Sequence, residues 1–287
     1  MSYEPYIRLT AFAAVLALMA AWELWQPRRK QSIGRVARWP SNIGIVVVDT
    51  LLVRLLFPTA AVGFAVLAER QGWGLFNDLD FHGWLAIALA VLILDVAIYF
   101  QHVLFHAVPA LWRLHRMHHA DLEFDVTTGI RFHPFEIVLS MLIKLIVVTG
   151  LGLPASGVLI FEVLLNATSM FSHGNVAIPA ELERWLRWIV VTPDMHRVHH
   201  SIEAQETNSN FGFNLSCWDR LFGTYRQQPA AGHQAMTIGI AQFREPRELR
   251  LDRMLLQPFR EGTGAYPLGH REPNPAQDRD ASELPRR

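Results

Sequence analysis

Histidine is the residue type whose placement in this chain calls for a chemical cause. The pattern H-x-x-H-H occurs at His115, His118 and His119 and again at His196, His199 and His200. His102 and His106 stand just upstream, and His133 and His173 lie between the two copies. Ten of the thirteen histidines therefore fall between positions 102 and 200. Imidazole is the commonest biological metal ligand, and either ring nitrogen can serve. Helical positions i and i+4 share a face, so His102 and His106 can grip one ion together. In H-x-x-H-H the first histidine shares a face with either of the last two, while those two diverge. One motif can reach towards two neighbouring ions, and two facing motifs could hold a pair. His102, His106, His115, His118, His119, His173, His196, His199 and His200 make a set of nine imidazoles. A closed structural site needs only about four ligands, so the surplus points to two metals. Imidazole suits Fe, Zn, Cu and Ni alike, so ligand type does not name the ion.

Metal-bound histidines generally donate their second N–H to a fixed acceptor. Asp95, Glu136, Asp194 and Asp219 lie close enough in sequence to be candidates for that task. His133 reads first as a packing or helix-capping residue and second as a further ligand. Asn175, two residues past His173, is a candidate of the same supporting kind. His82, His233 and His270 are given no role.

The elements that must position these groups are mostly membrane helices. The chain is 51% hydrophobic and 18% charged, against about 25% charged in a soluble protein. Lysine plus arginine balances aspartate plus glutamate at 26 each, so charge suggests no nucleic-acid partner. The single cysteine, Cys217, excludes an intrachain disulfide and a cysteine-based cluster, and is expected to be an ordinary buried thiol. Apolar runs predict spans over about 6–25, 43–67 and 84–105 and a helical hairpin over 134–171, each arm long enough for a bilayer or its core. Arg28, Arg29 and Lys30 follow the first span and mark the cytoplasmic side, with the N-terminus outside. Asp95, Tyr99, His102 and His106 share one face of the third span. Glu162, Asn166, Ser169 and His173 form a matching stripe on the hairpin's second arm. Asn166 and Ser169 are read there as interhelical hydrogen-bonding groups. Residues 181–190, alternating tryptophans with charges, read as a helix in the headgroup region. Residues 107–133 and 174–265 form a cytosolic cap, so that 1–265 is one membrane domain. Residues 266–287, rich in Pro and charge, are expected to be disordered.

In order, the motifs are H-x-x-x-H (His102, His106), H-x-x-H-H (His115 to His119), F-H-P-x-E (Phe132 to Glu136) and H-x-N (His173 to Asn175). T-P-x-M-H-R-V-H-H (Thr192 to His200) and N-F-G-x-x-L-x-x-W-D-R-L-F-G-T-Y (Asn210 to Tyr225) follow. This series resembles the fatty acid hydroxylase superfamily, and within it the bacterial sterol desaturase-like members, over about residues 6–225. The resemblance implies an all-α integral membrane bundle with a cytosolic histidine-rich cap, placed in a bacterial inner membrane. It implies a non-haem di-iron oxygenase: two iron ions held by the nine histidines, O2 as co-substrate and a separate electron-donor protein. The substrate it implies is a membrane lipid (sterol, fatty acyl or related chain), hydroxylated or desaturated. Some relatives carry a further histidine near the position of His173; here Ser169 and Asn175 stand nearby, leaving His133 or a water to complete the set. Acid–base side chains cannot attack an unactivated C–H bond, so the cofactor carries that chemistry. Two other readings use the same residues: a dimetal lipid hydrolase, and a histidine-lined metal transporter. Transport sites lie near the bilayer midplane, whereas these histidines gather at one membrane edge.

Overall fold

The computed structural model describes residues 3–260 and 262–268. Its elements are α1 (Glu4–Trp25), α2 (Arg35–Leu56), α3 (Ala60–Gln71), α4 (Leu75–Asp78), α5 (Gly83–Ala107) and α6 (Pro109–His119). They continue with α7 (Pro134–Leu151), α8 (Ala155–Ser172), α9 (Ala180–Leu186), α10 (Pro193–His199), α11 (Ala204–Thr207) and α12 (Cys217–Leu221), and then short helical turns. Among the described residues there is no strand; only isolated bridges occur, such as Pro27 with Val176. Among the described residues five stretches are long and apolar enough to cross a membrane: Glu4–Trp25, Arg35–Asp78, Gly83–Ala107, Pro134–Leu151 and Ala155–Ser172. The molecule is an all-α membrane bundle carrying a cap on one end.

The second crossing departs from the expected single span over 43–67. It starts earlier, at Arg35, and breaks between Leu56 and Ala60. Pro58 lies in the break. Proline offers no N–H and pushes the residue before it out of the helical region, and Phe57 accordingly sits at φ −131°, ψ 72°. The extra turns at the start of α2 belong to the cap. There Arg38, fully buried, bonds both oxygens of Asp121 at 2.8 and 2.7 Å and Asp125 at 2.5 Å.

Small residues let the bundle close. Ala61 and Ala65 of α3, Ala86 and Ala90 of α5, and Val158 and Phe161 of α8 share one core with Val148 of α7. α1 packs on α8, α2 on α7, and α5 on α6, α7 and α8. Gly152 ends α7 at φ +68°, a left-handed turn that favours glycine. The hairpin then returns through α8 to the histidine level.

Proline at the first helical position starts α6, α7 and α10, where its missing N–H costs nothing. The Thr192 hydroxyl caps α10 by accepting from the Met195 amide at 3.3 Å. In the α9 region Leu182, Trp185, Trp188 and Ile189 are exposed, as expected of a helix lying against headgroups. Cys217, the first residue of α12, is exposed rather than buried. Tyr266 is buried beside Trp112, so packed chain continues past the expected boundary at 266. The remainder of the expected disordered tail, 269–287, lies outside the described residues.

Candidate metal centre

Each histidine is placed by a helix whose start or packing the sequence encodes. α5 carries His102 and His106 one turn apart, on the face that also buries Asp95 and Tyr99. α6 carries His115, His118 and His119; α10 and its end carry His196, His199 and His200. His173 caps the end of α8. The loop over 128–130 passes so close to α8 that a Cβ at Gly129 would fall 2.5 Å from the Ser169 carbonyl and 3.0 Å from His173 Nδ1. Only glycine fits there.

The nine rings, all buried, fall into two groups whose ligand atoms lie within 4.8 Å of one another. One comprises His102, His106, His115, His119 and His199; the other comprises His118, His173, His196 and His200. Each H-x-x-H-H motif is divided between them. The first gives His115 and His119 to one group and His118 to the other. The second gives His199 to one, and His196 with His200 to the other. The divergence of adjacent helical side chains thus places both groups side by side.

Ring orientation follows from the second nitrogen. The Nδ1–H of His102 donates to the Phe211 carbonyl at 2.8 Å and that of His115 to Glu136 Oε1 at 2.7 Å. His106 reaches Asn208 Oδ1 at 3.1 Å, and His118 the Arg131 carbonyl at 3.1 Å. His173 and His199 donate to the Ser169 and Ser209 carbonyls, both at 2.7 Å. In these six rings the Nε2 lone pair is left facing inward. Yet Nε2 of His102 and His115 stand 3.1 Å apart, and Nε2 of His118 and His173 3.2 Å apart. Two lone pairs repel unless something electron-poor lies between them. Imidazoles at about 2.1 Å from one ion bring neighbouring nitrogens to about 3.0–3.4 Å of each other. The Nε2 atoms of His106 and His199 are buried with no protein partner, as ligand atoms would be. The residues fit a metal ion in each group.

Burial pushes His115 and His173 down to about 3. Burial, and then the neighbouring imidazoles, hold His118, His119, His196, His199 and His200 well below the usual histidine value. The rings are neutral near pH 7, the state that can ligate.

The supporting carboxylates are mostly not where they were expected. Only Glu136 touches one of the nine rings. Asp95 accepts from the Asn214 and Leu215 amides and Trp218 Nε1. Asp219 accepts from the Phe211 and Gly212 amides at 2.7 and 2.9 Å and from Thr224. Both fix the segment whose Phe211 carbonyl holds His102. Asp194 pairs with Arg28 and Arg197, and Asn175 bonds the backbone of Arg29 on both sides of its amide. These tie α1 to the cap. His133 belongs to neither group: its Nδ1 accepts from the Phe135 amide at 3.2 Å and caps α7. Asn166 bonds its own helix at Glu162, and Ser169 bonds the Gly129 carbonyl, so neither bridges two long helices. Asn208, a side-chain acceptor, was missed, as were the carbonyls of Arg131, Ser209 and Phe211, since a backbone acceptor leaves no mark in sequence.

A cavity of about 780 Å³ adjoins the first group. His102 and His115 line one end; Ile98, Phe105, Met141 and Phe213 form apolar walls. Arg54, Thr59 and Arg70, all exposed, stand on its rim along α2 and α3. The four-histidine group does not reach this space.

Residues 87–224 match the family model described as fatty acid hydroxylase. An ornithine lipid hydroxylase of Rhizobium tropici is 32% identical over 228 residues, 78% of this chain and 66% of that protein. An alkylglycerol monooxygenase of Xenopus tropicalis is 28% identical over 171 residues, 58% of this chain and 36% of that protein. A fatty acid hydroxylase of a Lecanicillium species is 28% identical over 170 residues, 54% of this chain and 46% of that protein. The chain thus spans less than two thirds of these relatives' own lengths. No solved structure matches it.

Proposed function

Because the chain belongs to the fatty acid hydroxylase family, we propose that it is a membrane lipid hydroxylase working through two iron ions. His102, His106, His115, His119 and His199 would hold one, and His118, His173, His196 and His200 the other. Bound there, the metal pair supplies the activation of O2 that no side chain can provide. One oxygen atom enters a C–H bond of the lipid and the other leaves as water, with two electrons and two protons from a separate donor protein. The chain's own part is to keep nine rings neutral, fix their orientation, and admit the lipid. The observation that carries this reading is the pair of buried imidazole groups with inward Nε2 atoms, one of them opening on the cavity. Substrate oxidation is therefore assigned to the His102 and His115 side.

The cap is proposed to face the cytosol, leaving the N-terminus outside. Arg28 pairs with Asp194, and Arg29 bonds the Met236 carbonyl, so the basic cluster after α1 and the cap share one membrane side. Basic residues flanking a span mark the cytoplasmic face. A bacterial inner membrane and one membrane domain over 1–265 complete the proposal.

The test is mass spectrometry of lipids from cells with and without the protein, grown under labelled O2. A labelled oxygen gained by one lipid class supports hydroxylation. Loss of two hydrogens without label would instead make the protein a desaturase, and a product formed without O2 would overturn the oxygenase reading.

A further inference from the structure

Three buried acceptors in the cavity have no donor. Glu136 uses Oε1 for His115, but its Oε2 is buried and unpartnered. Asp49 Oδ1, on α2, is buried and unpartnered, and Asp49 makes no ion pair among the described residues. Gln101 spends its amide N–H on Ser140 and leaves Oε1 unpartnered. All three residues line the same cavity as His102 and His115. Asp49 is 7% exposed and Glu136 4%, so bulk water does not compensate them. The cations of the cavity are engaged or distant. Lys144 bonds Glu162 at 2.6 Å, and Arg8 is shared between Glu162 and Glu4. Arg54 and Arg70 are turned to the exposed rim.

A carboxylate inside a membrane bundle without a partner marks a ligand pathway. A ligand suited to this cavity brings positive charge and several N–H donors. A primary ammonium has three donors and no acceptor; a hydroxyl brings one donor, a quaternary ammonium none, and a phosphate or carboxylate would be repelled. We infer that this cavity receives a lipid by its primary-ammonium headgroup, held by Asp49, Glu136 and Gln101. Glu136 meets His115 with its other oxygen, so the carbons beside the ammonium lie nearest the five-histidine group. The acyl chains trail along the apolar walls towards the rim. Oxygen insertion then falls in the headgroup region, not far along an acyl chain. This placement rests on the hydroxylase reading; the recognition of the ammonium does not.

The two parts are read separately. Full-length protein in detergent is titrated with phosphatidylethanolamine, with a phosphate-free aminoacyl lipid, and with phosphatidylcholine, bound lipid being counted by native mass spectrometry. Both primary-ammonium lipids should bind about tenfold or more tighter than the choline lipid, the size of effect expected of a desolvated charge pair. The better of the two identifies the source of the ammonium. Asp49→Asn, which breaks no contact, should erase the preference; equal binding of all three lipids, or a preference that survives Asp49→Asn, overturns the proposal. With O2 and reductant, fragmentation of the product should place the new oxygen on the headgroup fragment. Oxygen on the acyl fragment overturns the headgroup placement and leaves the hydroxylase reading standing. No oxygen in any lipid, with ammonium selectivity intact, overturns the hydroxylase reading and leaves the recognition site.

Discussion

The two histidine groups differ in how much they can lose. His173 Nε2 lies 3.2 Å from His118 Nε2 and 3.1 Å from both His196 Nε2 and His200 Nε2. It is the hub of a four-member group, and His173→Ala leaves three rings. His106→Ala leaves four of five. A four-ligand structural site is worth about 10–16 kcal/mol, or roughly 3–4 kcal/mol per ligand, which is about 10²–10³-fold in affinity at 1.4 kcal/mol per decade. His173→Ala should therefore lower metal content from two ions per chain to one after a chelator wash. His106→Ala should retain two ions, its first group now as rich as the second. The assay is elemental analysis of purified protein against a chelator series, with circular dichroism to show that the helices persist. Equal losses from both variants, or one ion in the unaltered protein, would refute the two-group reasoning.

His133→Ala should leave metal content unchanged and cost about 1 kcal/mol through the lost cap of α7, read as a fall in melting temperature alone. Arg38→Ala strands Asp121 and Asp125 in a buried site; breaking such a pair costs about 3–5 kcal/mol, measurable by denaturant unfolding, and a loss under 1 kcal/mol (roughly the value of an exposed pair) would contradict the burial. The metal-free protein should lose stability in acid. His115 and His173 are held down to about 3 by burial, whereas an unfolded chain takes up the same protons near 6.5. Their contribution is complete above about pH 6.5 and falls as pH drops towards 3, because the unfolded state then binds more protons; a melting temperature flat between pH 7 and 4 would count against neutral rings.

Much of the site was legible because imidazole is scarce and its spacing along a helix decides what it can face. Spacing required only that His118 and His119 diverge, with His115 free to side with either; the structure puts His115 with His119 and sends His118 to the other group. The supports were less legible for a physical reason. Four of the six fixed Nδ1–H groups donate to backbone carbonyls, which every residue carries, so nothing distinguishes Ser209 or Phe211 in sequence. Asp95 and Asp219 were candidate acceptors for the rings themselves, but they act one step back, on amides of the loop over 211–215. The break in the second crossing was visible as Pro58, yet the apolar run continues through it and hid the boundary. Asp49 falls inside the second expected span, over 43–67, but its lack of a hydrogen-bond partner appears only once α2, α5 and α7 enclose a common space.

The ties between the first helix and the cap constrain the order in which the molecule can be made. Asn175, Asp194 and Met236 bind the turn after α1, and the Leu268 amide closes on the His106 carbonyl. During synthesis the early spans must wait, already inserted, while their partners are still being translated. On the proposed two-metal reading, the five-histidine group is incomplete until His199 has emerged and the four-histidine group until His200, and the covering segment arrives later still. On that reading metal capture would be a late event in the life of each new chain, and until then the bundle would leave its imidazoles open to whichever divalent ion arrives first.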